Sequence, residues 1–272
     1  MLQAADLSFG YGSTPVVRGV SLEVPAGGFV GIIGPNGSGK TTLLRLLAGT
    51  RKPQHGTVTL AGVPLGTIPR AEIARRMAVV PQETHLAFEY TVLEVVLMGR
   101  YPHLGAFEIE GPRDIRLARR ALAATGTSAL EGRGFTTLSG GEKQRVIIAA
   151  ALAQISASER PPASPAVLLL DEPTAALDLK YQLETAALLR DLHDAHALSI
   201  IVSTHDLNFA AALCQTLVML KDGQVLAAGR VSDVLTPALI RTLYDVEAEV
   251  SRHPGTGHLH VVPVSRSQTR RV

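Results

Sequence analysis

The sequence predicts a mixed α/β fold in three parts: a core of buried strands that lead into helices, an antiparallel β subdomain at the N-terminus, and a helical subdomain inserted into the core. Three observations carry this prediction. Short, nearly continuous apolar runs, GFVGIIG (28–34), AVLLLD (166–171) and LSIIVSTH (198–205), have the texture of strands buried on both faces. Residues 1 to 30 instead alternate β-prone stretches with turn residues, LQAADLSFGYG, TPVVRGVSLEV and PAGG, as an antiparallel sheet would. From about 85 to 155 strand-like runs give way to helical periodicity.

The elements follow in order. GFVGIIG runs straight into a glycine loop, and TTLLRLLAG then repeats apolar residues at helical spacing and stops at Gly49, a helix C-terminal signal. YTVLEVVLMGR opens with Thr91 and Glu94 in capping-box spacing. PRDIRLARRALAATG and GGEKQRVIIAAALAQ complete the inserted helices. SASERPPASP (156–165) is a proline- and serine-rich surface loop, read as an insertion. YQLETAALLRDLHDA predicts a helix, LNFAAALCQTLVML a helix running into a strand, and KDGQVLAAG a hairpin with Asp-Gly at its turn. The tail after about 250 shows no periodicity. The expected organisation is one large domain over 1–250, with the helical part at about 85–155, and a tail over 251–272.

Composition narrows the classes. With 272 residues, 46% hydrophobic and 18% charged, the chain buries a real core. A net charge of +2 is too small for a protein that coats nucleic acid, and part of the basic excess is local, in RSQTRRV at the end. One cysteine, Cys214, gives no internal disulfide and suits a reducing compartment. The start, MLQAADLSFG, lacks a charged-then-apolar signal, and no apolar run approaches the ~20 residues of a membrane span. These features predict a soluble cytosolic chain whose membrane role, if any, comes through a partner.

Two acid and glycine motifs carry strong chemistry. GPNGSGKT, that is Gly34, Pro35, Asn36, Gly37, Ser38, Gly39, Lys40 and Thr41, followed by Thr42, fits the phosphate-loop pattern completely. Its glycines let backbone N–H groups converge on one phosphate at the positive end of the next helix. Lys40 reaches the β- and γ-phosphates, and the Thr41 hydroxyl ligates Mg²⁺. VLLLDEP ends an apolar strand in two carboxylates: Asp171 suits the Mg²⁺ shell, and Glu172 suits polarising an attacking water. Three further residues are weak alone: Gln82 in VVPQE, which would deliver an amide beside Mg²⁺; His205 after an apolar strand; and Tyr11 between two glycines, placed to stack on a base. A second glycine turn, LSGGE with Ser139, Gly140 and Gly141, opens an apolar helix and is not needed to hold a nucleotide already held by the first.

Taken together, these residues resemble the ATP-binding subunits of ABC transporters, over nearly the whole chain. Tyr11 falls at the adenine-stacking aromatic, Gly34–Thr42 at the Walker A loop and Gln82 at the Q-loop. Ser139, Gly140 and Gly141 fall at the signature motif, Asp171 and Glu172 at Walker B, Asp178 at the D-loop and His205 at the switch histidine. The D-loop has Ala175 and Ala176 where serine is commoner, leaving Asp178 intact. The resemblance implies a phosphate-loop NTPase core, ATP and Mg²⁺ as cofactors, and Glu172, His205 and Gln82 as catalytic residues. It implies a head-to-tail homodimer in which Ser139 and the glycine N–H groups of one chain cover the γ-phosphate held by Lys40 of the other. It implies, too, an integral-membrane permease partner, a periplasmic binding protein acting indirectly, a peripheral place on the cytoplasmic face of the inner membrane, and no nucleic acid.

MGRYPHLG (98–105) resembles the branch that imports iron chelates, haem and vitamin B12, and the 156–165 insertion and the tail VEAEVSRHPGTGHLHVVP resemble its haem importers. His253, His258 and His260 invite a haem- or metal-ligand reading, but a mobile tail fits better, since cargo would cross through the permease pore. A ribosome- or DNA-associated ATPase of the superfamily and a small-molecule kinase remain as alternatives. ATPases of the first kind usually fuse two nucleotide domains or carry long coiled coils, and this chain has neither. A kinase needs an acceptor site rather than a second anion loop such as LSGGE.

Overall fold

The computed structural model describes residues 1–84, 86–156, 166–175, 177–196 and 198–266. Ala176, the basic stretch after Arg266 and the 156–165 insertion beyond Ser156 therefore lie outside the described residues. The contacts divide the chain into two compact units, Met1–Pro64 with Ile201–Val272, and Leu65–Ile200. Among the described residues no helix is long and apolar enough to cross a membrane.

The first unit opens with β1 (Leu2–Tyr11) and β2 (Thr14–Val24), paired antiparallel from Leu2↔Val24 to Tyr11↔Thr14. The apolar strand β3 (Phe29–Ile33) is buried at every position, as its sequence predicts. It leads into α1 (Lys40–Leu47), which ends just before Gly49 at φ 69. Then β4 (His55–Leu60) and β5 (Val63–Pro64) complete a four-stranded sheet in the order β2-β1-β4-β5.

The second unit follows with α2 (Arg70–Arg76), β6 (Met77–Val80), α3 (Val92–Met98), α4 (Pro112–Ala124), α5 (Gly140–Ile155), β7 (Val167–Asp171) and α6 (Leu179–His196). β6 and β7 pair in parallel, with Val80 opposite Leu170. The capping box at α3 forms as its sequence predicts: Glu94 N donates to Thr91 Oγ1 at 3.3 Å, and Thr91 N donates to Glu94 Oε2 at 2.7 Å.

The chain returns to the first unit within β8 (Ser199–Thr204), which neighbours β3 in the strand order. Next come α7 (Leu207–Leu213), β9 (Thr216–Lys221), β10 (Gln224–Arg230), α8 (Val231–Val234) and α9 (Pro237–Tyr244). β9 runs parallel to β3 and antiparallel to β10. Asp222 and Gly223 both take positive φ, 50 and 78, at the β9–β10 turn, the geometry that an Asp-Gly hairpin requires.

The end of the chain departs from expectation. β11 (Val246–Arg252) pairs antiparallel with β12 (Leu259–Arg266), from Val246↔Arg266 to Arg252↔Leu259. This hairpin docks on α7: Asn208 Nδ2 donates to Val261 O at 3.2 Å and Val261 N donates to Asn208 Oδ1 at 2.8 Å, while Ala248 and Val261 are buried. Residues 246–266 thus form a docked hairpin rather than an unstructured tail. Its sequence hides this because Pro263 stands inside a strand, where it cannot donate to the ladder, opposite Ala248 beside a bulge. His253 and His258 sit at its turn and His260 in β12 opposite Ser251, and no group of three or more potential metal ligands gathers among the described residues.

In the second unit the side chain of Arg100 is buried, only 2% exposed. Its Nε donates to Asp114 Oδ1 at 3.0 Å, and its Nη1 donates to Ala153 O at 2.6 Å and Ser156 O at 3.2 Å. Arg100 therefore ties the first turn of α4 to the last carbonyls of α5, where a cation suits the helix dipole. Burial pushes the Asp114 carboxyl up, but the hydrogen bonds from Arg100 and from Gly111 N outweigh it and hold it below its ordinary value. Asp114→Ala strands the buried guanidinium and should cost about 3–5 kcal/mol in denaturant unfolding. Because the folded carboxyl is held low, its contribution is complete above the unfolded carboxylate range and is lost as pH falls through the folded value. The stability gap between wild type and Asp114→Ala should therefore narrow in acid.

Candidate functional site

The phosphate loop grows out of a strand that cannot move. Behind the fully buried β3, Gly34 approaches β9 so closely that a Cβ there would lie 2.2 Å from Leu220 O. The loop then turns on its own backbone, with Ser38 N donating to Pro35 O at 3.2 Å, and Gly39 takes φ 100 as the N-cap of α1. That cap has no side chain, so residue 39 offers the start of α1 no side-chain cap. Lys40, 5% exposed, donates from Nζ to Gly34 O at 2.9 Å and Pro35 O at 3.1 Å, which holds its charge inside the loop. Ser38 Oγ is buried without a hydrogen-bond partner. A helix N-terminus, a held ammonium and an orphaned hydroxyl form a donor set that fits a phosphate.

Neighbouring elements brace this loop. Gly223 N, at the β9–β10 turn, donates to Ser38 O at 3.1 Å, and Arg18 N of β2 donates to Gly223 O at 2.8 Å. Tyr11 stands at the end of β1, 44% exposed, with its ring edge-on to Phe9 at 5.1 Å. A hydrogen bond with the Thr42 side chain holds its phenol below the ordinary value; partial burial opposes this, and Arg45 and Arg51 add to it. The structure thus brings Tyr11 to the helix that carries the loop. Thr41 is half-buried, and His205 is exposed directly after the last residue of β8.

The second unit presents the carboxylates and the second glycine turn. β7 is buried throughout and ends in Asp171, 7% exposed. Glu172, half-buried, takes φ 46, a left-handed conformation that costs a side-chain residue about 1–3 kcal/mol and tends to be retained at functional sites. Gln82 is exposed two residues past the end of β6, and the register Val80↔Leu170 carries it to the same sheet edge as Asp171 and Glu172.

Ser139 caps α5 through a capping box that the sequence reading missed. Glu142 N donates to Ser139 Oγ at 3.3 Å, while Ser139 N and Oγ donate to Glu142 Oε2 at 2.8 and 2.9 Å. The signal was present, since Ser139 and Glu142 have the same spacing as Thr91 and Glu94. The Ser139 N–H and hydroxyl hold the Glu142 carboxyl below its ordinary value against burial, and Arg133 adds to the effect. Ser139 and Gly140 are exposed, whereas Gly141 is buried. Asp178 caps α6, accepting from Tyr181 N at 3.1 Å, and Tyr181 in turn packs on Gly141. The second unit therefore brings Asp178 to the Ser139–Gly141 turn.

The loop geometry separates its glycines by function. Gly34→Ala forces a methyl against backbone, a clash of about 1–3 kcal/mol, and should weaken nucleotide binding by roughly 10–100-fold. Gly37 takes φ 80 but a Cβ there meets nothing of its own chain within 4 Å. Gly37→Asn, which tolerates that conformation, should lose less than about tenfold. Titration with a fluorescent ATP analogue reads both.

Residues 17–175 match the family model described as ABC transporter. A hemin import ATP-binding protein, HmuV of Gloeobacter violaceus, is 46% identical over 264 residues, covering 97% of this chain and 94% of that protein. A cobalamin import ATP-binding protein, BtuD of Halobacterium salinarum, is 41% identical over 263 residues, covering 97% of this chain and 63% of that longer protein. Among solved structures, a metal-chelate type ABC transporter in an inward-facing conformation superposes with TM-score 0.82 at 29% identity, covering 97% of this chain and 96% of that one. The dimeric cassette MJ0796 in a post-hydrolysis state, bound to ADP and Pi, does so with TM-score 0.70 at 29% identity, covering 85% and 99%. The mixed α/β fold, with its antiparallel β part and helical insert, is the ABC ATPase fold. The chain belongs to the ABC transporter family and carries its ATP-binding domain.

Proposed function

We propose that this chain is the ATP-hydrolysing subunit of a bacterial importer that takes up haem through a partner permease, working as a homodimer on the cytoplasmic face of the inner membrane. The observation that carries the reading is the pair of glycine-rich helix N-termini on one chain with one phosphate loop. The end of α1 has its own lysine. The end of α5 exposes Ser139 and Gly140, and a phosphate carried by a second copy could take the Ser139 hydroxyl from Glu142. A relative with dimer, ADP and Pi in its description supports this arrangement. The names of the hemin and cobalamin import relatives, with MGRYPHLG, support an importer of a metal chelate, and the hemin relative has the greater identity of the two. Exposed apolar side chains in the second unit, Phe88, Tyr101, Phe107 and Ile109, support docking of the helical part on a membrane protein. A periplasmic binding protein would deliver the cargo on the far side.

In this reading Lys40 and the α1 N–H groups hold and orient the β- and γ-phosphates of ATP, with Tyr11 against the adenine. Thr41, Asp171 and Gln82 would hold Mg²⁺, which supplies charge neutralisation on the phosphate oxygens. The Glu172 carboxylate accepts the proton of the attacking water, and its held backbone aims it. His205 orients that water and the γ-phosphate, and Ser139, Gly140 and Asp178 of the second copy close the site.

Glu172→Gln should bind ATP normally and lose roughly 10²–10⁴-fold in turnover, and His205→Ala should also bind and hydrolyse poorly. Turnover by Glu172→Gln within a few-fold of wild type would remove Glu172 from the role of base. The cargo is tested by reconstituting the chain with its permease in liposomes and measuring ATPase stimulation by haem, vitamin B12 and ferric siderophores. Haem should stimulate most. Stimulation by vitamin B12 or a siderophore alone reassigns the cargo, and stimulation by ribosomes or DNA without any permease overturns the transport reading.

A further inference from the structure

The two glycines of the Ser139 turn are glycine for different reasons. Neither has the positive φ that would require glycine on backbone grounds. A methyl on Gly140 would meet only Leu177 Cδ2 at 3.5 Å, an ordinary contact. A methyl on Gly141 would lie 2.3 Å from Tyr181 Cδ1 and 2.5 Å from Tyr181 Cγ, at the root of the ring where rotation gives little relief. Tyr181 is itself fixed. Its N–H is held by the Asp178 cap, Gln182 N donates to Asp178 O at 2.9 Å, and one turn on Arg145 of α5 donates to Glu184 of α6 at 2.9 Å.

We propose that Tyr181 is a positioning residue for the second glycine turn: pressed on Gly141, it sets where the Ser139 hydroxyl and the first N–H groups of α5 stand relative to Asp178. This rests on the reading of that turn as the phosphate site of a second copy. Donors act on a phosphate only within about 2.7–3.1 Å of its oxygens, and an error of one ångström costs on the order of 100-fold. The ring reaches the helix backbone only because residue 141 has no side chain. Glycine at 141 is therefore a requirement of the chain's own packing, whereas glycine at 140 leaves the exposed side of the turn open to a ligand.

The test uses full-length variants, each assayed for ATP turnover against ATP concentration, for equilibrium binding of a fluorescent ATP analogue and for melting temperature. Gly141→Ala and Tyr181→Ala should each raise half-saturating ATP or cut turnover by roughly 10–100-fold, with analogue binding at the phosphate loop unchanged. The double variant Gly141→Ala with Tyr181→Ala should recover most of the turnover that Gly141→Ala loses, because the methyl enters space the ring has left. Tyr181→Phe, which keeps the ring, should match wild type. If Tyr181→Ala melts below the assay temperature, Tyr181→Leu makes the same pairing. A double variant no faster than Gly141→Ala overturns the role of Tyr181. Ser139→Ala separates the two ideas: if it is slow while the double variant stays slow, Tyr181 alone is misassigned. If Ser139→Ala turns over like wild type, the phosphate-site reading of the turn fails and the proposal falls with it.

Discussion

The first turn of an α-helix leaves N–H groups that no carbonyl of the helix can reach, and two such ends organise this protein. At α1 the N-cap is Gly39, which has no side chain to offer, and beside it stand a buried lysine and an orphaned Ser38 hydroxyl. At α5 the N-cap is Ser139, already engaged by Glu142. One end has a cation already in place. The other is satisfied by its own chain, and in the proposed dimer a phosphate would compete with the Glu142 carboxylate for the same hydroxyl.

Both ends depend on what lies behind them. The phosphate loop is as rigid as β3, β9 and the Asp222–Gly223 turn make it, since Gly34 touches Leu220 O and Gly223 N reaches Ser38 O. Glu172 is held at φ 46 after a strand that is buried at all its positions. A cost of about 1–3 kcal/mol at such a residue persists only when the surroundings fix the chain more firmly than the local preference resists. Burial of apolar strands therefore serves the chemistry indirectly, by denying the loops at their ends other conformations.

In the second unit one charged residue plays the corresponding part. Arg100 takes the last carbonyls of α5 and the carboxylate that starts α4, so its guanidinium satisfies two helix ends. The helix whose first turn carries Ser139 is thus held at its C-terminus by a buried ion pair and near its N-terminus by Tyr181 and the Arg145–Glu184 pair. A helix held at both ends presents its first N–H groups in one place, which is the condition for using them on an anion.

By itself the sequence determined whatever depends on neighbours a few residues away. β3, the loop and α1 were legible because an apolar run, a glycine-rich turn and a helical period follow one another without interruption. The Thr91–Glu94 box and the Asp222–Gly223 turn were legible because their hydrogen bonds close over two or three residues. The Ser139–Glu142 box is as local, and only the prominence of its glycines hid it. The tertiary structure alone decided the rest. Arg100 has the composition of a surface residue until its partners at 114, 153 and 156 surround it. The 246–266 hairpin looks patternless until α7 gives Val261 a face to bury against. Tyr181 reads as an ordinary helix residue until folding sets it on Gly141, forty positions earlier in the chain. Local rules describe how a segment satisfies its own backbone. Which side chain may approach which glycine is settled only when distant segments compete for the same volume, because close packing leaves room for one of them.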